Sequence, residues 1–125
     1  MIEKPLILIT GSRKGIGKYL AQYYVNKNYN VIGCSRSEVD FKFDNYTHFI
    51  LDVSDEKEVK KLFKNIRKSY GRLDILINNA GIASMNHALL TSMDTVNKIY
   101  KTNVFGTFLL SREAAKIMQR KRYGR

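Results

Sequence analysis

A glycine-rich turn is the segment of this 125-residue sequence whose residue types and spacing are best suited to binding a ligand. It reads Thr10-Gly-Ser-Arg-Lys-Gly-Ile-Gly17 and lies between an apolar run and a helical pattern. Gly11 can adopt the backbone angles of a tight turn. Gly15 and Gly17 carry no side chain that would keep a phosphate away from the N–H groups at a helix N-terminus. The spacing differs from the standard G-x-G-x-x-G fingerprint, so the expected pyrophosphate site rests on this mechanism.

Strand and helix patterns alternate around this turn with short connections, which is typical of a parallel sheet with crossover helices. The right-handed crossover rule then gives a doubly wound, Rossmann-like α/β fold in three α/β/α layers, with strand order 3-2-1-4. Apolar runs predict strands over 6–10, 29–35, 47–52 and 73–78. Apolar periodicity predicts a helix over 16–28, a second that Ser54 or Asp55 caps and Gly71 ends, and a long helical region over about 92–121.

The order of the strands reverses between the first and the fourth. Ligands of such sheets bind at this switch point, beyond the carboxyl ends of the strands. The glycine-rich turn and Asn78-Asn-Ala-Gly81 both follow strands that end there, so we expect them to face one another across a ligand site.

Four motifs in order, at a characteristic spacing, make the chain resemble the short-chain dehydrogenase/reductase family over essentially all of its length. They are Thr10-Gly-Ser-Arg-Lys-Gly-Ile-Gly17, Leu51-Asp-Val53, Asn78-Asn-Ala-Gly81, and Asn103 followed by Gly106. The resemblance implies that the cofactor pyrophosphate is held by Gly11, Ser12, Arg13, Lys14, Gly15, Ile16 and Gly17.

The same resemblance assigns roles along the rest of the cofactor. Asp52 and Val53 would flank the adenine, and Asn79, Ala80 and Gly81 would line the inner ribose region. Asn78 would tie the fourth strand to its neighbour. Asn103 matches the asparagine whose helix distortion holds a water in the family's proton relay.

The end of the second strand bears on the choice of cofactor. An NAD enzyme of this kind places an acid there for the ribose hydroxyls, whereas this chain has Ser35 followed by Arg36. Arg13 and Lys14 add two cations from the glycine-rich turn, and a 2′-phosphate suits a planar guanidinium. These residues predict NADP(H). NAD remains an alternative because Glu38 can reach a ribose.

The resemblance implies catalytic groups that this sequence does not contain: a serine after a fifth strand and a Tyr-x-x-x-Lys one helix later. We expect residues 1–125 to form a dinucleotide-binding domain that ends at Arg125, where the fifth strand begins, and to be inactive alone. Tyr23-Tyr-Val-Asn-Lys27 has the right spacing, but Lys27 lies about ten residues into the first helix. At 1.5 Å per residue, that is roughly 15 Å from the phosphate end.

The predicted function of the intact protein is hydride transfer between nicotinamide and a small-molecule carbonyl or secondary alcohol, by a homo-oligomer in the cytoplasm. The alternative is a catalytically inert dinucleotide-binding or interaction module. Without a fifth strand the fourth would be an open edge, and Val104, Phe108, Leu109 and Ala115 resemble a face that packs against a partner subunit. We therefore expect the isolated chain to self-associate.

Composition limits the other classes of function. The net charge is +11, but lysines elsewhere alternate with acids, and six cations cluster after residue 111, so we predict no nucleic-acid partner. No apolar run approaches the ~20 residues that cross a bilayer. The lone Cys34 is expected in the core of a reducing-compartment protein, and no metal-ligand spacing is present. His48 is expected to be structural, while His87 could touch substrate or simply be solvated.

Overall fold

The computed structural model describes residues 3–125, which form one parallel sheet with helices on both faces. The strand order is β3-β2-β1-β4, as the sequence predicts. The strands are β1 (Leu6–Thr10), β2 (Asn30–Ser35), β3 (Tyr46–Ile50) and β4 (Ile75–Ile77). The α-helices are α1 (Gly15–Asn26), α2 (Glu56–Ser69), α3 (Met93–Tyr100) and α4 (Thr107–Lys121). A 3₁₀ turn covers Ala88–Leu90 and a π-helical segment covers Lys101–Gly106.

Strand β1 lies at the centre of the sheet because every one of its residues is apolar or small. All five are buried, and they pair in parallel with β2 on one side and β4 on the other. The side chains of β1 alternate between two cores. Leu6 and Leu8 pack with α2 and α4, whereas Ile7 and Ile9 pack with α1. These two cores give the expected three layers.

Helix α1 approaches the sheet through small residues rather than through the face that its periodicity predicts. Its buried positions are Gly17 and Ala21. Ile16 is 71% exposed and Tyr23 is 43% exposed, although the four- and three-residue steps from Ile16 through Leu20 to Tyr23 predict that they share the packed face. A Cβ at Gly17 would overlap the carbonyl oxygen of Gly11, so close packing of the helix on the glycine-rich turn requires glycine there.

The long helical region predicted over 92–121 is interrupted by the π-helical segment. Helix α3 begins after Ser92, whose side chain accepts the N–H of Thr95. Helix α4 then packs against α2 through buried residues that include Leu109 and Leu110. The placement of Leu109 on an exposed partner face is therefore wrong, while Val104 and Phe108 are exposed.

The outer edge of β4 is partly occupied by the end of the chain. Arg125 donates its N–H to the carbonyl of Asp74 at 3.0 Å and accepts the N–H of Leu76 at 2.8 Å. This alternation is the hydrogen-bond pattern of a parallel strand. Arg125 therefore pairs with the outer edge of β4, and a fifth strand beginning there stays a prediction.

Candidate functional site

The site is built where β1 and β4 end, and Thr10 joins the two. Its hydroxyl accepts the N–H of Asn79 at 3.0 Å and of Ala80 at 2.9 Å. The side-chain amide of Asn79 donates to the carbonyl of Gly11 at 3.1 Å. These bonds fix the glycine-rich turn against the segment after β4, as the switch-point argument predicts. Sequence reasoning missed Thr10. The sequence feature that could have identified Thr10 is its hydroxyl side chain at the end of an otherwise apolar strand.

The glycine-rich turn leaves the beginning of α1 open to an anion. Gly11 and Gly15 have φ values of +68° and +60°, a region that costs an L side chain energy. A Cβ at Gly15 would meet nothing within 4 Å, so the space in front of the helix is free. No side chain among the described residues caps α1, which leaves its first N–H groups and its positive dipole end for a ligand. This geometry fits a pyrophosphate.

A cleft of about 460 Å³ runs from this turn across the carboxyl ends of the strands. Most of the residues expected to bind a cofactor line it: Gly11, Arg13, Lys14, Gly15, Ser35, Arg36, Asp52, Val53, Asn79, Ala80 and Gly81. The lining also includes Leu51, the first residue of the Leu51-Asp-Val53 motif, and Ser37, Ile82 and Thr102, which the sequence analysis did not name. One cleft therefore brings together residues from five separate segments of the chain.

Four expected site residues lie outside the lining of the cleft. Ser12 is fully buried, and its hydroxyl bonds to that of Tyr46 at 2.8 Å. Gly17 is buried under the turn, and Ile16 faces solvent. Asn103 uses its side-chain amide on the main chain of Ile82, accepting at 2.9 Å and donating at 2.8 Å.

The electrostatics of the cleft favour an anion near the end of β2. Arg13, Lys14 and Arg36 are exposed at its rim, and Ser35 ends the strand. The carboxylate of Asp52 is occupied locally, because it accepts the N–H of Ser54 at 2.9 Å and its hydroxyl at 2.7 Å. Asp52 shapes the loop that follows Leu51.

Within residues 3–125, the side chain of Asn78 does not bond to a strand beside β4, contrary to the prediction. Its side chain donates to the hydroxyl of Ser111 on α4 at 3.1 Å. The reason is the shortness of β4, which ends at Ile77, so the side chain of Asn78 is free to reach the helix layer. Asn78 therefore links the strand end to α4.

Both histidines have local partners. His87 accepts the N–H of Leu89 at 3.3 Å and begins the 3₁₀ turn. His48 bonds through both ring nitrogens, to Tyr46 at 2.7 Å and to Ser35 at 2.8 Å, in keeping with the structural role expected of it. Burial lowers its pKa below the usual value, against the opposing effects of Ser37 and Glu38.

Tyr23 and Lys27 lie at the far end of α1 from the cleft. Lys27 follows the last residue of the helix, and its ammonium sits over the Tyr23 ring, 5.5 Å from the centroid. Among the described residues, no cluster of three or more His, Cys, Asp or Glu side chains could hold a metal ion. None of the helices described is long and apolar enough to span a membrane.

Comparison with known proteins places the chain among relatives of one kind. The sequence pattern described as short chain dehydrogenase matches residues 5–125. The 3-oxoacyl-[acyl-carrier-protein] reductase FabG of Salmonella typhimurium is 35% identical over 98% of this chain and 53% of its own length. The chain thus spans about half the length of the curated relatives it matches.

Solved structures show the same likeness. ElxO with NADP bound is 35% identical, with a TM-score of 0.90 over 98% of this chain and 53% of its own. A short chain dehydrogenase from Leptospira borgpetersenii with bound NAD⁺ is 27% identical, with a TM-score of 0.90 over 95% of this chain and 48% of its own. Neighbours of equal structural similarity therefore hold either cofactor.

Proposed function

Because the chain belongs to the short chain dehydrogenase family, we propose that it forms the cofactor-binding part of an NADP(H)-dependent oxidoreductase. The observation that carries the proposal is the cleft. The beginning of α1, which no side chain caps, opens into it, and the cations of the glycine-rich turn and Arg36 lie at its rim beside Ser35, which stands where an acid would select NAD. When bound, the nicotinamide would supply or accept a hydride for a carbonyl or secondary alcohol.

The glycine-rich turn is proposed to hold the pyrophosphate. Gly11 and Gly15 supply the left-handed turn, and Gly17 lets α1 pack beneath it. The first N–H groups of α1 then donate to the phosphate oxygens without a competing cap. Ser12 is proposed to support the turn from its buried side, through its bond to Tyr46. Ile16 is proposed to serve the pyrophosphate only through its backbone, since its side chain is exposed to solvent.

The end of β2 is proposed to select the 2′-phosphate. Ser35 stands where an acid would repel that group, and Arg36 offers a planar guanidinium beside it. Arg13 and Lys14 approach the same cleft from the glycine-rich turn. The NADP-bound ElxO structure supports this choice, whereas the NAD⁺-bound Leptospira structure keeps NAD as the alternative.

The remaining cleft residues are proposed to position the two ends of the cofactor. Asp52 and Val53 would contact the adenine, and Asn79, Ala80 and Gly81 the inner ribose. Asn103 is proposed to serve the proton relay from the π-helical segment, where the helix is distorted as the resemblance implies.

We also propose that the protein acts as a homo-oligomer in the cytoplasm. Large apolar side chains are exposed along α3, the π-helical segment and α4, namely Met93, Tyr100, Val104, Phe105 and Phe108. Large apolar side chains exposed on neighbouring segments favour an interaction surface. The free thiol of Cys34 suits a reducing compartment.

Titration of the protein with NADPH and with NADH tests the proposal. We expect NADPH to bind more tightly. Arg36→Ala should weaken NADPH by about 1.5–3 kcal/mol, the range of charge-assisted hydrogen bonds, and leave NADH nearly unchanged. Arg67→Ala, which removes an exposed arginine in the last turn of α2, is the matched control. Equal losses for both cofactors would show that Arg36 does not contact the 2′-phosphate.

A further inference from the structure

A continuous chain of hydrogen bonds runs behind the cleft from the glycine-rich turn to the end of β2. The hydroxyl of Ser12 bonds to that of Tyr46 at 2.8 Å, and the same Tyr46 oxygen bonds to His48 Nδ1 at 2.7 Å. His48 Nε2 lies 2.8 Å from the Ser35 hydroxyl. Ser35 in turn donates to the carbonyl of Ser37 at 2.7 Å. We call this chain of hydrogen bonds, from Ser12 through Tyr46 and His48 to Ser35, the relay; it is distinct from the family's proton relay. It begins in the glycine-rich turn, which carries Arg13 and Lys14, and ends beside Arg36.

The partners fix where the protons lie. The Ser37 carbonyl can only accept, so the Ser35 proton points to it, and His48 Nε2–H donates to the Ser35 oxygen. His48 Nδ1 is then an acceptor in the neutral ring, which takes the Tyr46 proton. Tyr46 oxygen in turn accepts from Ser12. Every hydroxyl in the chain thus has one direction, set by a neutral His48, and the burial that lowers the His48 pKa favours that state.

The fold is shaped to admit this chain. Tyr46 and His48 are two apart on β3 and share one face of the sheet, and His48 pairs with Gly33 on β2. A Cβ at Gly33 would overlap both the Tyr46 hydroxyl and the Ser12 hydroxyl, so the bond between them passes over a residue that must be glycine. Phe41 and Phe43 pack on the Tyr46 ring, with centroids 5.4 and 6.0 Å away.

His48 also contacts the Ser37 carbonyl, and this second contact frees Ser35. Nε2 lies 3.2 Å from that carbonyl oxygen as well as 2.8 Å from the Ser35 hydroxyl. If the Ser35 proton turns toward a phosphate in the cleft, the single Nε2–H of His48 is shared between the Ser37 carbonyl and the Ser35 oxygen. The exchange therefore leaves no acceptor without a donor, which would otherwise cost free energy.

We propose that His48 is a positioning residue for the 2′-phosphate, which acts by holding Ser35 as a hydrogen-bond donor, while Tyr46 ties the glycine-rich turn to the same relay. The inference rests on the proposed function, since it concerns the NADP(H) site. It adds a residue outside the cleft lining to the determinants of cofactor preference.

The test is the ratio of the NADH and NADPH dissociation constants, measured for the protein and its variants with both cofactors as probes. This ratio measures the preference for NADPH. His48→Ala should lower it about fivefold, the effect of one lost hydrogen bond. His48→Gln keeps an N–H at the position of Nε2 and should retain the preference. Tyr46→Phe should weaken both cofactors alike, because Ser12 serves the pyrophosphate that they share.

A double-mutant cycle separates action through Ser35 from a general structural effect. Ser35→Ala should lower the preference as much as His48→Ala, and the double variant should lose no more than either. Additive losses, or equal losses of both cofactors in His48→Ala, would overturn the inference. If His48→Ala fails to fold, His48→Gln and Ser35→Ala decide it: loss of the preference in the first, or its retention in the second, would count against it.

The ¹⁵N spectrum of the His48 ring gives a readout that a merely structural role would not move. We expect the proton on Nε2, and a shift of this nitrogen on addition of NADPH but not of NADH. A proton on Nδ1 would contradict the relay. If the protein shows no preference for NADPH at all, the proposed cofactor fails and the inference with it. If Arg36→Ala abolishes a preference that His48→Ala retains, only the inference fails.

Discussion

Asn103 and Ile82 hold each other through a pair of hydrogen bonds between a side-chain amide and a peptide group. Asn103 Oδ1 accepts the Ile82 N–H at 2.9 Å, and Asn103 Nδ2 donates to the Ile82 carbonyl at 2.8 Å. Asn103 lies in the π-helical segment, and its backbone carbonyl accepts the hydroxyl of Thr107 at 2.8 Å. The distorted helix and the loop after β4 are therefore fixed together at one rim of the cleft.

Asn103→Ala should release that loop. Loss of both bonds to Ile82 is expected to reduce the free energy of unfolding by about 1–3 kcal/mol, since each exposed bond contributes roughly 0.5–1.5 kcal/mol. Hydrogen exchange should accelerate at the Ile82 amide. Asn97→Ala, an exposed position in α3, is the control and should change neither quantity appreciably. Unchanged exchange at Ile82 in Asn103→Ala would contradict the finding.

Two glycines of the turn should respond differently to alanine. At Gly17 the new methyl group would overlap the Gly11 carbonyl, so the backbone must shift, and we expect a loss of about 1–3 kcal/mol together with weaker NADPH binding. At Gly15 the space is open, and only the φ of +60° opposes the change, by roughly 1–2 kcal/mol. Urea unfolding of Gly17→Ala and Gly15→Ala measures the free energy of unfolding that each variant loses relative to the wild type. A Gly17→Ala protein as stable as the wild type would show that α1 does not pack as described.

Glu113 should make stability depend on pH. It is 2% exposed, and it accepts from Lys116 at 2.8 Å and from Arg112 at 3.0 Å. Burial acts to raise its pKa, but the two cations prevail and hold it below the usual value. The lowered pKa means that Glu113 stabilises the fold above about pH 4.5, and that this contribution is lost as the pH falls through the folded-state value.

Unfolding free energies between pH 7 and pH 3 check this expectation. Glu113→Gln should be less stable at pH 7, and its stability should fall less steeply on acidification than that of the wild type. Asp94→Asn, which removes an exposed partner of Lys98 on α3, should leave the slope almost unchanged, because surface pairs contribute little. Identical slopes for wild type and Glu113→Gln would refute the assignment.

Cys34 should be inert in the folded protein. Burial raises the pKa of its thiol to about 12, an effect that hydrogen bonding to the Gly11 backbone only partly opposes. Because the thiolate is the reactive form, a disulfide reagent at pH 8 should label Cys34 only after unfolding in urea. Stoichiometric labelling of the native protein would show that the end of β2 opens to solvent.

Self-association of the 125-residue chain remains a prediction. Strand β4 lies at the edge of the described sheet, and Arg125 occupies only the beginning of its outer side. Beyond that point the edge can pair with another chain, and exposed Val104 and Phe108 add apolar surface. Light scattering should give a mass above that of a monomer, and a hydrophobic dye should bind. A monomeric mass with a sharp thermal transition would favour a self-sufficient module.

Local patterns of residues suffice to predict the order of the strands and the position of the cleft. Both follow from local information: the apolar runs of the strands, the glycine spacing of the turn, and the handedness of crossovers that short connections impose. The same pattern predicts a fifth strand from Arg125, a residue whose backbone bonds to Asp74 and Leu76. The packed face of α1 did not follow from the local pattern, because Gly17 and Ala21 are buried where periodicity favoured larger residues.

Which polar side chains bond to one another depends instead on how the strands and loops come together in space. Thr10 reaches the N–H groups of Asn79 and Ala80 because β1 and β4 end side by side, although nearly seventy residues separate them in the sequence. Ser12, Tyr46, His48 and Ser35 form one relay because the register of β3 on β2 sets His48 opposite Gly33. Side-chain hydrogen bonds of this kind depend on register and on the space that a missing Cβ leaves, and neither is written in the local pattern of residues.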